Sequence, residues 1–132
     1  MVITRAASSR PATSDAERSA VVGKAVLRAA GALGLTRAEL GRTLGLSDAS
    51  VSRLKAGSFT LKPSSKTYEL ALLLIRLFQG VDAMTGGEEG CTRGWMASIN
   101  KALAGQPPRI SIQSITGLVA TVQYVEVAPR VR

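Results

Sequence analysis

The chain has 132 residues, 45% of them hydrophobic and 20% charged, which is ordinary globular composition for one domain or two very small ones. Seventeen Lys and Arg against nine Asp and Glu give a formal charge of +8, and the pI near 10.6 points to an anionic partner, nucleic acid first. There is no His, so Ser-His-Asp triads, Cys-His pairs, His general bases and His-containing metal sites are excluded within one chain.

The lone Cys, Cys91, supports neither an internal disulfide nor a zinc cluster, which fits a reducing cytosol. Aromatics make up only 4%, too few for single-strand stacking platforms. The strongest apolar run, 70–75, is too short to span a bilayer, and the start MVITR has no signal-peptide core, so a cytoplasmic location is expected. No metal or cofactor is expected.

Residues 1–14 are small, polar and basic, and read as a flexible arm. Val22, Ala25, Val26, Ala29 and Leu33 then recur at helical spacing, with Ser14 or Asp15 as cap and Gly34 as stop. Thr36 and Glu39 have capping-box spacing and open a second helix with Leu40 and Leu44 inward, ended by Gly45. Ser47 caps a third, with Val51 and Leu54 inward and Gly57 after it; 58–63 is a loop.

Ser64 or Ser65 caps a long helix over about 65–79, apolar nearly all round, which suggests burial against a second layer or a second subunit. Five glycines between 80 and 94 argue for a loop with at most a short helical piece at 81–84. Trp95, Ile99 and Leu103 stack at i, i+4, i+8 and predict a helix ended by Gly105. After the Pro107-Pro108 break, 110–125 is rich in Ile and Val. The three-four spacing of Ile112, Ile115, Leu118 or Val119, Val122 and Val125 nevertheless predicts a helix, not a strand. The expectation is an all-α fold, with a mobile tail at 127–132.

The stretch 36–57, TRAELGRTLGLSDASVSRLKAG, has the layout of a helix-turn-helix: a capped helix, a Gly-bearing turn and a Ser-capped second helix with basic residues at its end. Leu40, Leu44, Leu46, Val51 and Leu54 fix the angle between the helices. Asp48, Ala49, Ser50, Ser52, Arg53 and Lys55 are left for the outer surface. Arg53 is the expected base reader, since a guanidinium matches the two acceptors of guanine. Ser47 and Ser50 suit phosphates or base edges, and Arg37, Arg42, Lys55 and Lys62 suit phosphates. Asp48 repels phosphate and reads as helix stabilisation or as an acceptor for cytosine. Residues 1–63 carry ten basic and four acidic groups (+6), and 64–132 seven and five (+2), so the excess lies with the motif. A helix-Gly-helix hairpin also occurs in proteins that bind no DNA; the charge and the capping box favour the DNA reading.

This segment resembles the helix-turn-helix of Xre-family phage-type repressors, whose base-reading positions fall on Asp48, Ala49 and Arg53. The second half resembles the toxin-binding domain of Xre/MbcA/ParS antitoxins: LFQG, a loop, GWM, N-x-A-L-x-G-x-P, then a helix with TGL. The matching residues are Gly80, Trp95, Asn100, Leu103, Gly105, Pro107 and Gly117. It departs from the pattern at Ile99, where Pro is common, and in the Gly-rich acidic insertion at 85–94.

The resemblance implies a non-enzymatic antitoxin that blocks a RES-domain toxin, an NAD consumer, and represses its own operon by binding double-stranded DNA as a homodimer. The implied organisation is an arm (1–14), a DNA-binding domain (15–63), a connecting or dimerisation helix (64–80) and a toxin-binding domain with tail (81–132). Candidate toxin contacts are Trp95, Asn100, Arg109, Tyr124, Arg130 and Arg132, the arginines because an NAD cleft recognises phosphates. Plainer roles exist for each: a lone Trp and Tyr pack, Asn100 holds its loop, terminal arginines are solvated. A stand-alone repressor whose second half only dimerises or senses a ligand is the competing function.

Overall fold

A computed structural model describes residues 14–130. The arm over 1–13 and Arg132 lie outside the described residues. Within them the fold is all-helical: α1 (Asp15–Leu33), α2 (Arg37–Leu44), α3 (Asp48–Ala56), α4 (Lys66–Thr85), α5 (Glu89–Ala97), a 3-10 turn (Lys101–Leu103), α6 (Pro108–Ser111) and α7 (Ile115–Val127).

The N-terminal elements follow the local signals closely. Ser14 and Glu17 close one capping box and Thr36 and Glu39 another, each pair satisfying two backbone amides that a helix start leaves open. The Ser47 and Ser65 hydroxyls cap α3 and α4 through the amides of Ser50 and Tyr68. Gly34, Gly45 and Gly57 each stop a helix in the left-handed conformation, at φ of 77°, 72° and 81°. Val26, Leu33, Leu40, Leu44, Val51 and Leu54 fill the space between α1, α2 and α3, and the buried Ser19 hydroxyl donates to the Leu61 carbonyl (2.6 Å), tying the 58–63 loop to α1.

α4 is the centre of the molecule. It packs along α1 on one side and α7 on the other, with Ala71, Leu74, Leu77 and Val81 fully buried. Much of its apolar sequence is thereby used within the chain, although Leu72 stays 41% exposed. It also runs past Gly80 to Thr85, where a loop was expected. Gly80 survives inside a helix because α7 lies against it: a Cβ there would stand 2.5 Å from Val125 Cγ2. The loop shrinks to the turn before Glu88, whose carboxylate caps α5 through the Cys91 amide (2.7 Å).

Two further expectations are corrected in the C-terminal half. Trp95, Ile99 and Leu103 do not share one helix. α5 ends at Ala97, Ser98 is extended, and the Asn100 side chain accepts from the Ala102 amide (2.9 Å), an alternative hydrogen bond that competes with helix continuation. The Asn100 amide donates to the Gln106 carbonyl (3.2 Å), and its own carbonyl accepts from Gly105. Leu103 is buried from this turn while Ile99 is 73% exposed.

The segment 110–125 is helical but not continuous. Pro108 starts α6, Ile112 is buried at the break, and Ser114 recaps the chain through the Gly117 amide. Leu118, Val122 and Val125 face the core as expected; Ile115, which the periodicity also placed inward, is 64% exposed. Packing on α4 makes this β-branched run helical against its strand propensity. Arg76 on α4 grips Glu126 on α7 with two hydrogen bonds (3.1 and 2.8 Å) and holds that carboxyl below the usual range.

Candidate nucleic-acid interface and partner surface

α2, the Gly45 turn and α3 form a helix-turn-helix. The Leu46 amide donates to the Gly41 carbonyl (2.7 Å), and a Cβ on Gly41 would stand 2.7 Å from the Leu46 carbonyl oxygen, so the turn folds back tightly on α2. With Val51 and Leu54 buried, α3 presents Asp48, Ala49, Arg53 and Lys55 to solvent and leaves Ser50 and Ser52 half-buried. The Arg53 guanidinium donates to Ser50 Oγ (3.2 Å), which lies 3.2 Å from Ser47 Oγ, so three sequence-predicted contacts form one polar chain along the exposed side. Arg37 Nη1 donates to Ser52 Oγ (3.1 Å), bringing a cation of α2 beside α3. Lys55 and Lys62 are exposed. Asp48 occupies the first turn of α3, where a carboxylate complements the helix dipole.

Arg42 goes elsewhere. Five positions from Arg37, it is rotated about 140° round α2, and its Nε donates to Gln113 Oε1 (2.7 Å) in the C-terminal half. Arg109 is likewise engaged by the protein, pairing with the buried Glu39 carboxylate while its own side chain stays partly exposed. Sequence reasoning gave Glu39 one role, in the capping box, and missed the second because nothing local signals a partner 70 residues on. It also missed Arg93, which donates to the Gly31 carbonyl (3.0 Å) and joins α5 to α1.

The remaining candidate toxin contacts separate. Trp95 of α5 and Tyr124 of α7 stack with ring centroids 6.2 Å apart and an interplanar angle of 13°. Both stay partly exposed, so the Trp is less enclosed than a core residue. Asn100 is occupied with its turn. Arg130 is exposed beyond the end of α7. Cys91 is exposed, and the Glu88 carboxylate beside it pushes the thiol pKa up, away from thiolate reactivity. Among the described residues no three Asp, Glu or Cys side chains gather as a metal-ligand group, and no single helix is long and apolar enough to cross a membrane.

An all-α fold with an exposed, basic-ended second helix after a tight Gly turn is that of a helix-turn-helix DNA-binding protein. Residues 13–76, just under half of the chain, match the family model of the antitoxin Xre-like helix-turn-helix domain. The match takes in α1, α2, α3 and the first half of α4. No curated protein sequence matches the chain.

Proposed function

We propose that this protein is the antitoxin of a type II toxin–antitoxin module, with two binding surfaces and no catalysis. Residues 15–63 bind operator DNA through α3 as one half of a homodimer and repress the antitoxin's own operon. Residues 81–132 bind and block a RES-type, NAD-consuming toxin, and 64–80 connect the two parts and support dimer formation.

The observation that carries this reading is the exposed Ser47–Ser50–Arg53 chain on α3, inside a segment that matches the antitoxin Xre-like domain. Arg53 reads a base and Lys55, Lys62 and Arg37 hold phosphates. On the other half, the Trp95–Tyr124 stack offers an aromatic anchor of the kind that dominates protein interfaces. Arg130 and Arg132 supply cations for a phosphate-recognising cleft.

The test is a binding titration with duplex DNA from upstream of the gene and a scrambled duplex of equal length. Arg53→Ala should weaken the upstream duplex by about tenfold or more, as loss of one bidentate base contact does, and the scrambled one much less. Lys55→Ala should weaken both alike. Equal losses for Arg53→Ala would remove its reading role. For the second surface, the full chain should neutralise the product of the neighbouring toxin gene on co-expression, and removal of 127–132 should weaken that protection. A full chain that represses but protects against nothing would make the protein a stand-alone repressor.

A further inference from the structure

The seam between α1 and the C-terminal end of α3 gathers cations from three helices. Lys24 of α1 and Lys55 of α3 line one groove of about 260 Å³, over a floor of Leu27, Leu54 and Phe59. Lys55 and Arg37, the first residue of α2, line a second groove of about 200 Å³ that shares Leu27 with the first. No Asp or Glu lines either groove. Lys24 and Lys55 are exposed, and neither makes an ion pair among the described residues. Other cations of this half are placed differently. Arg18 pairs with Asp15, Arg42 donates to Gln113, and Arg28 lines the opposite flank of α1, against Ile75, Phe78 and Gln79 of α4.

An apolar floor carries lysine stems and leaves their ammonium groups at the rim. Two ammonium groups at one rim with no acid beside them repel each other, and a shared anion removes that repulsion. The nearest carboxylates on the same two helices, Glu17 and Asp48, stand seven residues earlier, about 10 Å back along each axis.

Continuity with α3 identifies the anion. Lys55 sits two residues from Arg53, and Arg37 is held beside α3 through Ser52, so the cations flank the reading side of that helix. A helix that reads bases has a phosphate backbone beside it, and a backbone is an anion repeated at regular spacing, which a row of cations from separate helices matches.

We propose that one phosphate backbone of the bound duplex crosses this seam, and that Lys24 holds it from α1 together with Lys55 and Arg37. The inference rests on the DNA-binding reading above and extends the interface from the helix-turn-helix to α1. Lys24 positions the duplex without reading sequence, because a phosphate presents the same charge whatever the base.

The test is a titration of the full chain with the upstream and scrambled duplexes between about 50 and 200 mM salt. Each phosphate contact contributes about 0.9 to the slope of log K against log salt. Lys24→Met should therefore make the slope shallower by about 0.9 for each protomer on the duplex, for both sequences alike, while Lys24→Arg keeps the native slope. Arg28→Met is the control. It removes the same charge one turn further along α1, on the flank that faces α4, and should change the slope by less than about a third as much. An unchanged slope for Lys24→Met would overturn the proposal. So would an equal change for Arg28→Met, since net charge and not position would then set the effect. A native chain that binds neither duplex removes the DNA reading and this inference with it, whereas native binding with no effect of Lys24→Met removes α1 alone from the interface.

Discussion

Leu74→Ala should cost about 2–5 kcal/mol, the range for truncating a large aliphatic side chain in a close-packed core. Leu74 is fully buried at the middle of α4, the helix that packs along both α1 and α7. A domain of this size has roughly 5–15 kcal/mol of total stability, so one truncation there consumes a large part of it. Guanidinium denaturation followed by circular dichroism should show a lower midpoint with an unchanged slope. Leu72→Ala is the control. Two residues away and 41% exposed, it should cost well under half as much in the isolated chain. A loss for Leu72→Ala equal to that for Leu74→Ala would mean that this face of α4 is covered in solution, as a homodimer through α4 would require.

The position of α4 has a consequence for the helix-turn-helix. The family match ends at residue 76, in the middle of α4, while Leu77 and Val81 beyond it are fully buried. Arg93 and Arg109 from later elements grip the Gly31 carbonyl and the Glu39 carboxylate. The DNA-binding segment is thus held in part by residues outside the match. The Leu74→Ala variant should therefore lose DNA binding over the same denaturant range in which it loses overall helicity.

The helix-turn-helix was legible in the sequence because its determinants are local. Ser14, Thr36 with Glu39, Ser47, and the stop glycines 34, 45 and 57 each act within four residues, and the structure uses every one as the spacing predicts; the Glu17 half of the first capping box is added by the structure. The exposed surface of α3 followed from the burial of Val51 and Leu54. The C-terminal half was less legible because its geometry depends on distant contacts. Gly80 reads as a helix breaker until Val125 is placed against it. The spacing of Trp95, Ile99 and Leu103 imitates a helix, whereas the Asn100–Gln106 pairing produces a turn. Arg42 and Arg109 both look like free cations in sequence. Only the fold shows that Gln113 and Glu39 engage them.

Gly117→Ala should be the other severe substitution, although it adds a single methyl group. An ideal Cβ at 117 would stand 1.9 Å from the Ser111 carbonyl oxygen, 2.8 Å from the Ser111 carbonyl carbon and 2.9 Å from Ser114 Oγ. The first two are backbone atoms, so no rotamer change relieves them and the α6–α7 elbow must open. Overpacking of this kind costs about 1–3 kcal/mol and more where backbone has to move, against at most ~1 kcal/mol gained from the better helix propensity of Ala. Gly31→Ala provides the contrast. It lies in α1 with nothing within 4 Å of its Cβ position, so the propensity gain stands unopposed and the variant should be more stable by about 0.5–1 kcal/mol. Thermal melts of the two variants should thus move in opposite directions. Gly117→Ala melting at or above the native temperature would show that the elbow yields easily.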